Sequence, residues 1–340
     1  MDTEKYILGI DTSNYKTSLA LVGQEDIRLD LRKFLEVKPG ERGLRQSEAL
    51  FQHVRNLPEL FEEVRSDLDL NGGAEISAVA FSSRPRPVEG SYMPCFIAGE
   101  SFGRSLAAML DVPAISFSHQ EGHLEAIKAF TEMSYIDHFI ACHFSGGTCE
   151  ILYVKPSEAV MPYVDEYGGY IAVNGENTIY DITLVGGTKD ISFGQVLDRA
   201  GVAMGLPFPC GNRLDQIAMK TNRATNYLTP VKVKDCHFNL SGIDTQIKNL
   251  IGNVDDHDGL VREIFEKISD CICRMLIQAA DKTGLCDVIM SGGVSTSGFI
   301  RDSISDRLER EGIIVYFDDL GLSSDNAVGT ALLGGKYIWE

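Results

Sequence analysis

The sequence predicts an α/β fold built twice, as two lobes with a central cleft. Apolar runs of strand and helix type recur in the same order in each half of the 340 residues. Three strands also end in small-residue turns at comparable points of that order. A repeated strand and helix order lets each half bury its own sheet, and the length suffices for two lobes.

Each element follows from its own residue pattern. In the first half, "YILGID" (6–11) and "TSLALV" (17–22) are apolar β-rich runs joined by a short polar turn, and "IRLDLRKF" adds a third strand. A helix follows, with Leu50, Val54, Leu57, Phe61 and Val64 at helical spacing, and Pro58 predicts a kink or break inside it. "ISAVAF" (76–81) reads as a buried strand, 96–110 as a helix, and "VPAISF" (112–117) as another strand. In the second half, "DHFIACHF" and "TCEILYV" are again two strands around a tight glycine turn. A helix at 259–282, the strand "CDVIMS" (286–291), a helix at 298–310, the strand "GIIVYF" (312–317) and a final helix at 325–337 complete the order. The first lobe is expected over residues 1–117, completed by the C-terminal segment 325–340. The second is expected over 118–324, with an insertion at 205–258, where periodicity is weak and Pro and Asn recur.

Composition narrows the setting. The chain is 44% apolar and 24% charged, as globular proteins are. It has no apolar run of about eighteen residues, so no membrane partner is expected. "MDTEKYILGID" lacks the basic and apolar regions of a secretion signal. The eight cysteines are scattered without a CxxC pair, which fits reduced thiols in a cytoplasmic protein rather than a zinc ribbon or disulfide framework. A net charge of −18 repels polyanions, so contact with nucleic acid needs a local basic patch. Such clusters are "RGLRQ" (42–46), "RPR" (84–86) and "KVK" (232–234), each a solvated face unless, as Arg84 and Arg86 could, it contacts RNA phosphates.

Two motifs carry chemistry. "SHQEGHLEAI" (118–127) sets His119 and His123 four residues apart, on one helical face, where they can share a metal ion or stand as a surface pair. Metalloproteases of the H-E-x-x-H type place Glu directly after the first histidine. Here Glu121 lies about 200° around the helix from His119, which disfavours a protease. The second motif is the glycine turn, in "GIDTSNYKTSLAL", "HFSGGTCEILYV" and "VIMSGGVSTSGFI". Such turns let backbone N–H groups approach a phosphate, and the third also runs into a helix start. Together they predict a nucleotide in a cleft lined by residues 9–17, 143–148 and 291–297. Neither a P-loop nor a G-x-G-x-x-G after the first strand is present.

These turns, with "QHVRNLPEL", "AGESFGRSLAAMLDVPAISFSHQEGHL", "GQVLDRAGVAMGLPFPCG", "FNLSGI" and "SSDNA", resemble the TsaD family, the tRNA adenosine threonylcarbamoyltransferases once described as glycoproteases. The resemblance covers nearly the whole chain. It implies the actin-like (ASKHA) fold that sugar kinases and heat-shock chaperone ATPase domains share. It implies one divalent metal ion, iron or zinc, on His119, His123 and Asp325, where an unrelated Asp at a helix start would serve as an N-cap. It also implies an adenine nucleotide (ATP, AMP or threonylcarbamoyl-adenylate) on His143, Phe144, Ser145, Gly146 and Gly147, then Asp198, Gly211 and Ser297. The implied reaction moves threonylcarbamoyl from its adenylate to N6 of an adenine in tRNA, with AMP leaving and partner subunits assisting.

The sequence departs from the family's pattern at several points. Asn14, Tyr15 and Lys16 stand where the family has Cys-Asp-Glu, Thr148 where it has His, Gln195 where it has an acid, and Ser297 where it usually has Asn. The family's "GPG" turn is replaced around "SRPRPVEG" (83–90). A divergent paralogue follows from these changes. One alternative is a catalytically weak nucleotide- and metal-binding protein, and another is a carbamoyl-type transferase with a different acceptor.

Overall fold

Alternating and fully apolar strands must stack into sheets, and here they form two. A computed structural model describes residues 4–13, 15–37, 44–70, 74–157, 179–318, 320–322 and 324–339. Asn14 lies outside the described residues. The elements run β1 (Glu4–Asp11), β2 (Lys16–Val22), β3 (Ile27–Phe34), α1 (Gln46–Leu70), β4 (Ala74–Arg84), α2 (Phe96–Leu110), β5 (Ala114–Ser118) and α3 (His119–Lys128). They continue with β6 (Phe139–Phe144), β7 (Cys149–Pro156), β8 (Tyr180–Thr188), α4 (Phe193–Ala203), α5 (Gly211–Lys220), β9 (Val233–Lys234), β10 (His237–Phe238) and α6 (Ser241–Ile251). The chain closes with α7 (His257–Thr283), β11 (Asp287–Ser291), α8 (Gly298–Glu309), β12 (Ile314–Phe317) and α9 (Val328–Trp339).

Among the described residues, one sheet has the order β3-β2-β1-β4-β5 and the other β12-β11-β6-β7-β8-β10-β9. Both share a pattern: an antiparallel hairpin (β1/β2, β6/β7) whose first strand pairs in parallel with a later one (β4, β11), which pairs in parallel with a fourth (β5, β12). That is the predicted duplication. The segment 205–258 holds the short helices α5 and α6 with β9 and β10 between them, and β10 extends the second sheet through β8.

The chain divides into two units, one made of residues 1–134, 156–181 and 320–340, the other of 135–155 and 182–319. The helix carrying both histidines thus belongs to the first unit, beyond the expected boundary at 117. The physical reason is α9, which packs on both α3 and the first sheet. A Cβ on Gly329 would lie 1.8 Å from the Gly122 carbonyl oxygen, and one on Gly9 would lie 2.3 Å from that of Ala327. Only glycine allows such approaches. Lys336 Nζ donates to Glu125 at 2.8 Å, and Ser82 and Thr330 share a hydrogen bond of 3.1 Å, tying α9 to α3 and β4.

Helix α1 is not broken at its internal proline: it continues through Pro58, because Leu57, Leu60 and Val64 are buried around it. Burial worth about 1.5–3 kcal/mol per large side chain offsets the roughly 3 kcal/mol that an interior proline costs. Its buried stripe also runs through Ala49, His53, Leu57, Leu60 and Val64, leaving the expected Val54 exposed and a histidine inside.

Candidate metal centre

Helix α3 starts at its histidine because Ser118 and Glu121 form a reciprocal cap. Ser118 Oγ accepts the Glu121 amide at 3.2 Å, and Glu121 Oε2 accepts the Ser118 amide at 3.0 Å. Glu121 Oε1 also accepts the Ile179 amide at 2.8 Å. The acid between the histidines is therefore fully buried and structurally engaged.

The histidine rings project together. His119 Nε2 and His123 Nε2 lie 2.9 Å apart, and Asp325 Oδ1 lies 3.5 and 3.6 Å from them. One ligand atom from each residue falls within 4.8 Å of the others. The close crossing at Gly122 and Gly329 brings Asp325, just ahead of α9, over the histidine face. Asp325 is not the helix cap: Asn326 Oδ1 accepts the Gly329 amide at 3.2 Å instead.

Asp11, at the end of β1, completes the arrangement. Its Oδ1 lies 3.1 Å from His119 Nδ1, and its Oδ2 accepts Ser13 Oγ at 2.5 Å. Asp11 fixes the Nδ1–H tautomer of His119 and leaves Nε2 facing the other donors, as a carboxylate behind a metal-binding imidazole does. The charges follow. Burial disfavours protonated His119, but Asp11 and then Asp325 outweigh it and raise its pKa to about 10. His123 is lowered, first by burial and then by the charge on His119. Burial alone would raise Asp325, yet hydrogen bonds from both histidines hold it well below the usual carboxylate range. Two imidazoles packed nitrogen to nitrogen against a carboxylate form a donor set suited to a divalent cation.

Two neighbours escaped the sequence reading. Asp11, in "GIDTS", carries no signal of its role, since strand position alone does not show which helix it meets. His53 looked like one helical residue among others. It is fully buried, its Nδ1 is 2.9 Å from Thr17 Oγ1, and burial lowers its pKa to about 4 against the pull of Asp11 and Asp325. Arg84 is a correction: it is 7% exposed and lies 4.0 Å from Glu121, so it is no surface contact for RNA, whereas Arg86 is exposed.

In the second unit the expected nucleotide residues form local clusters. His143 Nδ1 meets Ser291 Oγ at 3.1 Å, joining the turns after β6 and β11. A Cβ on Gly292, at φ +90°, would lie 2.4 Å from the Phe144 carbonyl oxygen. Phe144 itself is core, packed edge-on against Phe193, so its side chain faces no ligand. Within the turn, Ser145 N donates to Thr148 O at 2.8 Å, and Ser145 Oγ accepts Gly147 N at 3.3 Å and Thr148 N at 3.0 Å. At the start of α5, Asp198 Oδ1 accepts the amide of Cys210, the residue before Gly211, at 2.8 Å. Ser297 bonds to Asp215, which also accepts the Gly298 and Phe299 amides at 3.1 Å each. The helix start expected to face a phosphate thus already holds a carboxylate. Gln195 keeps the α4 cap, accepting the Ser192 amide at 3.2 Å.

Comparison with known proteins agrees with this fold. A ROK family protein from Streptococcus pneumoniae TIGR4, solved with sucrose, superposes with a TM-score of 0.54 at 11% identity, over 98% of this chain and 100% of that one. T. kodakarensis HypF gives 0.56 at 14%, over 99% of this chain and 48% of its own, so the protein spans about half of HypF. These likenesses show an α/β fold of the ASKHA type. The tRNA N6-adenosine threonylcarbamoyltransferase of Neorickettsia sennetsu is 26% identical over 330 residues, covering 94% of this chain and 90% of that one. The family model for TsaD, tRNA N6-adenosine threonylcarbamoyltransferase, matches residues 36–167 and 170–332, and the chain belongs to that family.

Proposed function

We propose that the protein transfers a threonylcarbamoyl group from threonylcarbamoyl-adenylate to N6 of an adenine in tRNA. The observation that carries this is the convergence of His119, His123 and Asp325 with Asp11 behind His119, in a chain of the TsaD family. A divalent ion on those three residues would supply Lewis-acid polarisation of the carbamoyl carbonyl. The protein's own contribution is positional. Asp11 orients His119, and Asp325 is held ionised at neutral pH by the two histidines. The family resemblance assigns the phosphate and ribose of an adenylate to Ser145, Gly146, Gly147, Asp198 and Gly211. In the reaction the N6–carbamoyl bond forms, the bond from the carbamoyl carbon to the phosphate oxygen breaks, N6 loses one proton and AMP leaves.

Lys16 favours a second reading. A buried cation stands where the family has an acid, which suits a nucleotide- and metal-binding paralogue with weak transfer, or one with another acceptor. Incubating metal-loaded protein with threonylcarbamoyl-adenylate and a tRNA transcript separates the two. Mass-spectrometric detection of threonylcarbamoyladenosine, lost on chelation, is expected from the first reading. AMP release without tRNA modification would favour the second. Chelator-sensitive cleavage of casein would overturn both, and the engaged Glu121 argues against it.

A further inference from the structure

Lys16 opens β2, opposite Phe34 of β3, and is 9% exposed. Two residues on, Ser18 pairs with Asp11 on one side and Arg32 on the other. Side chains alternate along a strand and cross-strand partners share a face, so Lys16, Ser18, Asp11 and Arg32 all project from one side of this sheet. That side carries the metal centre. Asp11 reaches His119 there, and Arg32 Nη1 donates to Gly321 O at 2.9 Å and Ser324 Oγ at 3.1 Å, fixing the segment that ends in Asp325.

Arg32 has its own counter-ion, with Nη2 2.5 Å from Asp30. Lys16 does not. Among the described residues its ammonium makes no hydrogen bond or ion pair, and its recorded contact is the Phe34 ring, 4.9 Å away. Burial and then Arg32 lower its pKa, while Asp325 and Asp30 oppose them, which agrees with a cation beside the Asp325 carboxylate. An ammonium with no carboxylate against it among the described residues, beside a candidate metal site, is a place for an incoming anion.

We propose that Lys16 is a specificity-determining residue that binds an anionic oxygen group, carboxylate or phosphate, of the substrate presented at the His119–His123–Asp325 site. The assignment deepens the transferase reading and rests on it only for the presence of substrate at that site. The test uses full-length, metal-loaded protein and its Lys16→Met variant, titrated with acetate and with inorganic phosphate by calorimetry. We expect at least one anion to bind the unaltered protein and to bind Lys16→Met at least tenfold more weakly, with the metal content of the two equal. Binding of acetate alone identifies a carboxylate, and binding of phosphate alone a phosphate. Equal binding to both proteins, or no binding to the unaltered one, overturns the proposal.

Thermal unfolding is the second measurement. In anion-free buffer Lys16→Met should melt no lower than the unaltered protein, because it removes an unpaired cation, and the anion should raise the melting temperature of the unaltered protein alone. A lower melting temperature for the variant would show the ammonium satisfied internally and overturn the assignment. Neither measurement reads transfer to tRNA. Lys16-dependent anion binding without transfer would count against the proposed reaction and leave this role of Lys16 standing.

Discussion

Metal affinity should depend on pH through a single proton, and Asp11 should set that dependence. Without metal, the histidine pair carries its proton on His119, whose pKa is raised to about 10, while His123 is lowered and neutral and Asp325 is already ionised. A ligand must be deprotonated to bind, so binding expels the His119 proton. The sign is therefore fixed: apparent affinity rises with pH, about tenfold per unit, until pH nears 10. At pH 7 the penalty is about three units, or about 4 kcal/mol at 1.36 kcal/mol per unit. Asp11→Asn removes the charge that contributes most to holding that proton, leaving burial opposed by Asp325. The slope of log affinity against pH between 7 and 9 should fall from about one to well below one. At high pH, where no proton competes, the same variant should bind metal about 10–100-fold more weakly, because a carboxylate behind an imidazole ligand is lost. Competition titrations with a fluorescent zinc chelator measure the slope between pH 7 and 9, and the same titration above pH 10 measures the loss of affinity. Equal slopes in the two proteins would refute the reasoning, since the Asp11–His119 contact would then not govern the proton.

The remaining predictions follow from particular contacts. His119→Ala, His123→Ala and Asp325→Ala should each strip the metal, because a site with three protein ligands is weak once one is removed, and elemental analysis checks this. Gly329→Ala should destabilise the fold by about 1–3 kcal/mol or more and lower metal content, since its Cβ would strike the Gly122 carbonyl, as denaturant unfolding and elemental analysis would show. His53 should make the protein acid-sensitive: with a folded pKa of about 4 against about 6.5 unfolded, stability falls as pH drops through that window, by about 3 kcal/mol in all. In His53→Leu that part of the slope should vanish between pH 7 and 4 in urea melts, and an unchanged slope would show that His53 protonates in place.

How much of this was legible in the sequence depended on the range of the physics involved. Strand alternation, helical spacing and glycine turns are local, so both halves, their order and the duplication could be read directly. So could the shared face of His119 and His123, since it needs only one turn of helix. Asp325 was reached through the family's motif order and not through geometry, because it lies 202 positions (325 − 123) beyond His123 in the chain. Tertiary structure decided the rest. Val54 and His53 both fit a helical stripe, and only packing against Thr17 put the histidine inside. Arg84 reads as a surface cation until β4 sets it beside Glu121. Asp11 gained its role from strand register, which put it on the face that α3 and α9 cover, and the same register put Lys16 there without a counter-ion among the described residues. Periodicity states what a residue's neighbours along the chain are. Which charge meets which across a sheet and two helices is settled only when the backbones close to within the approach that Gly122 and Gly329 allow.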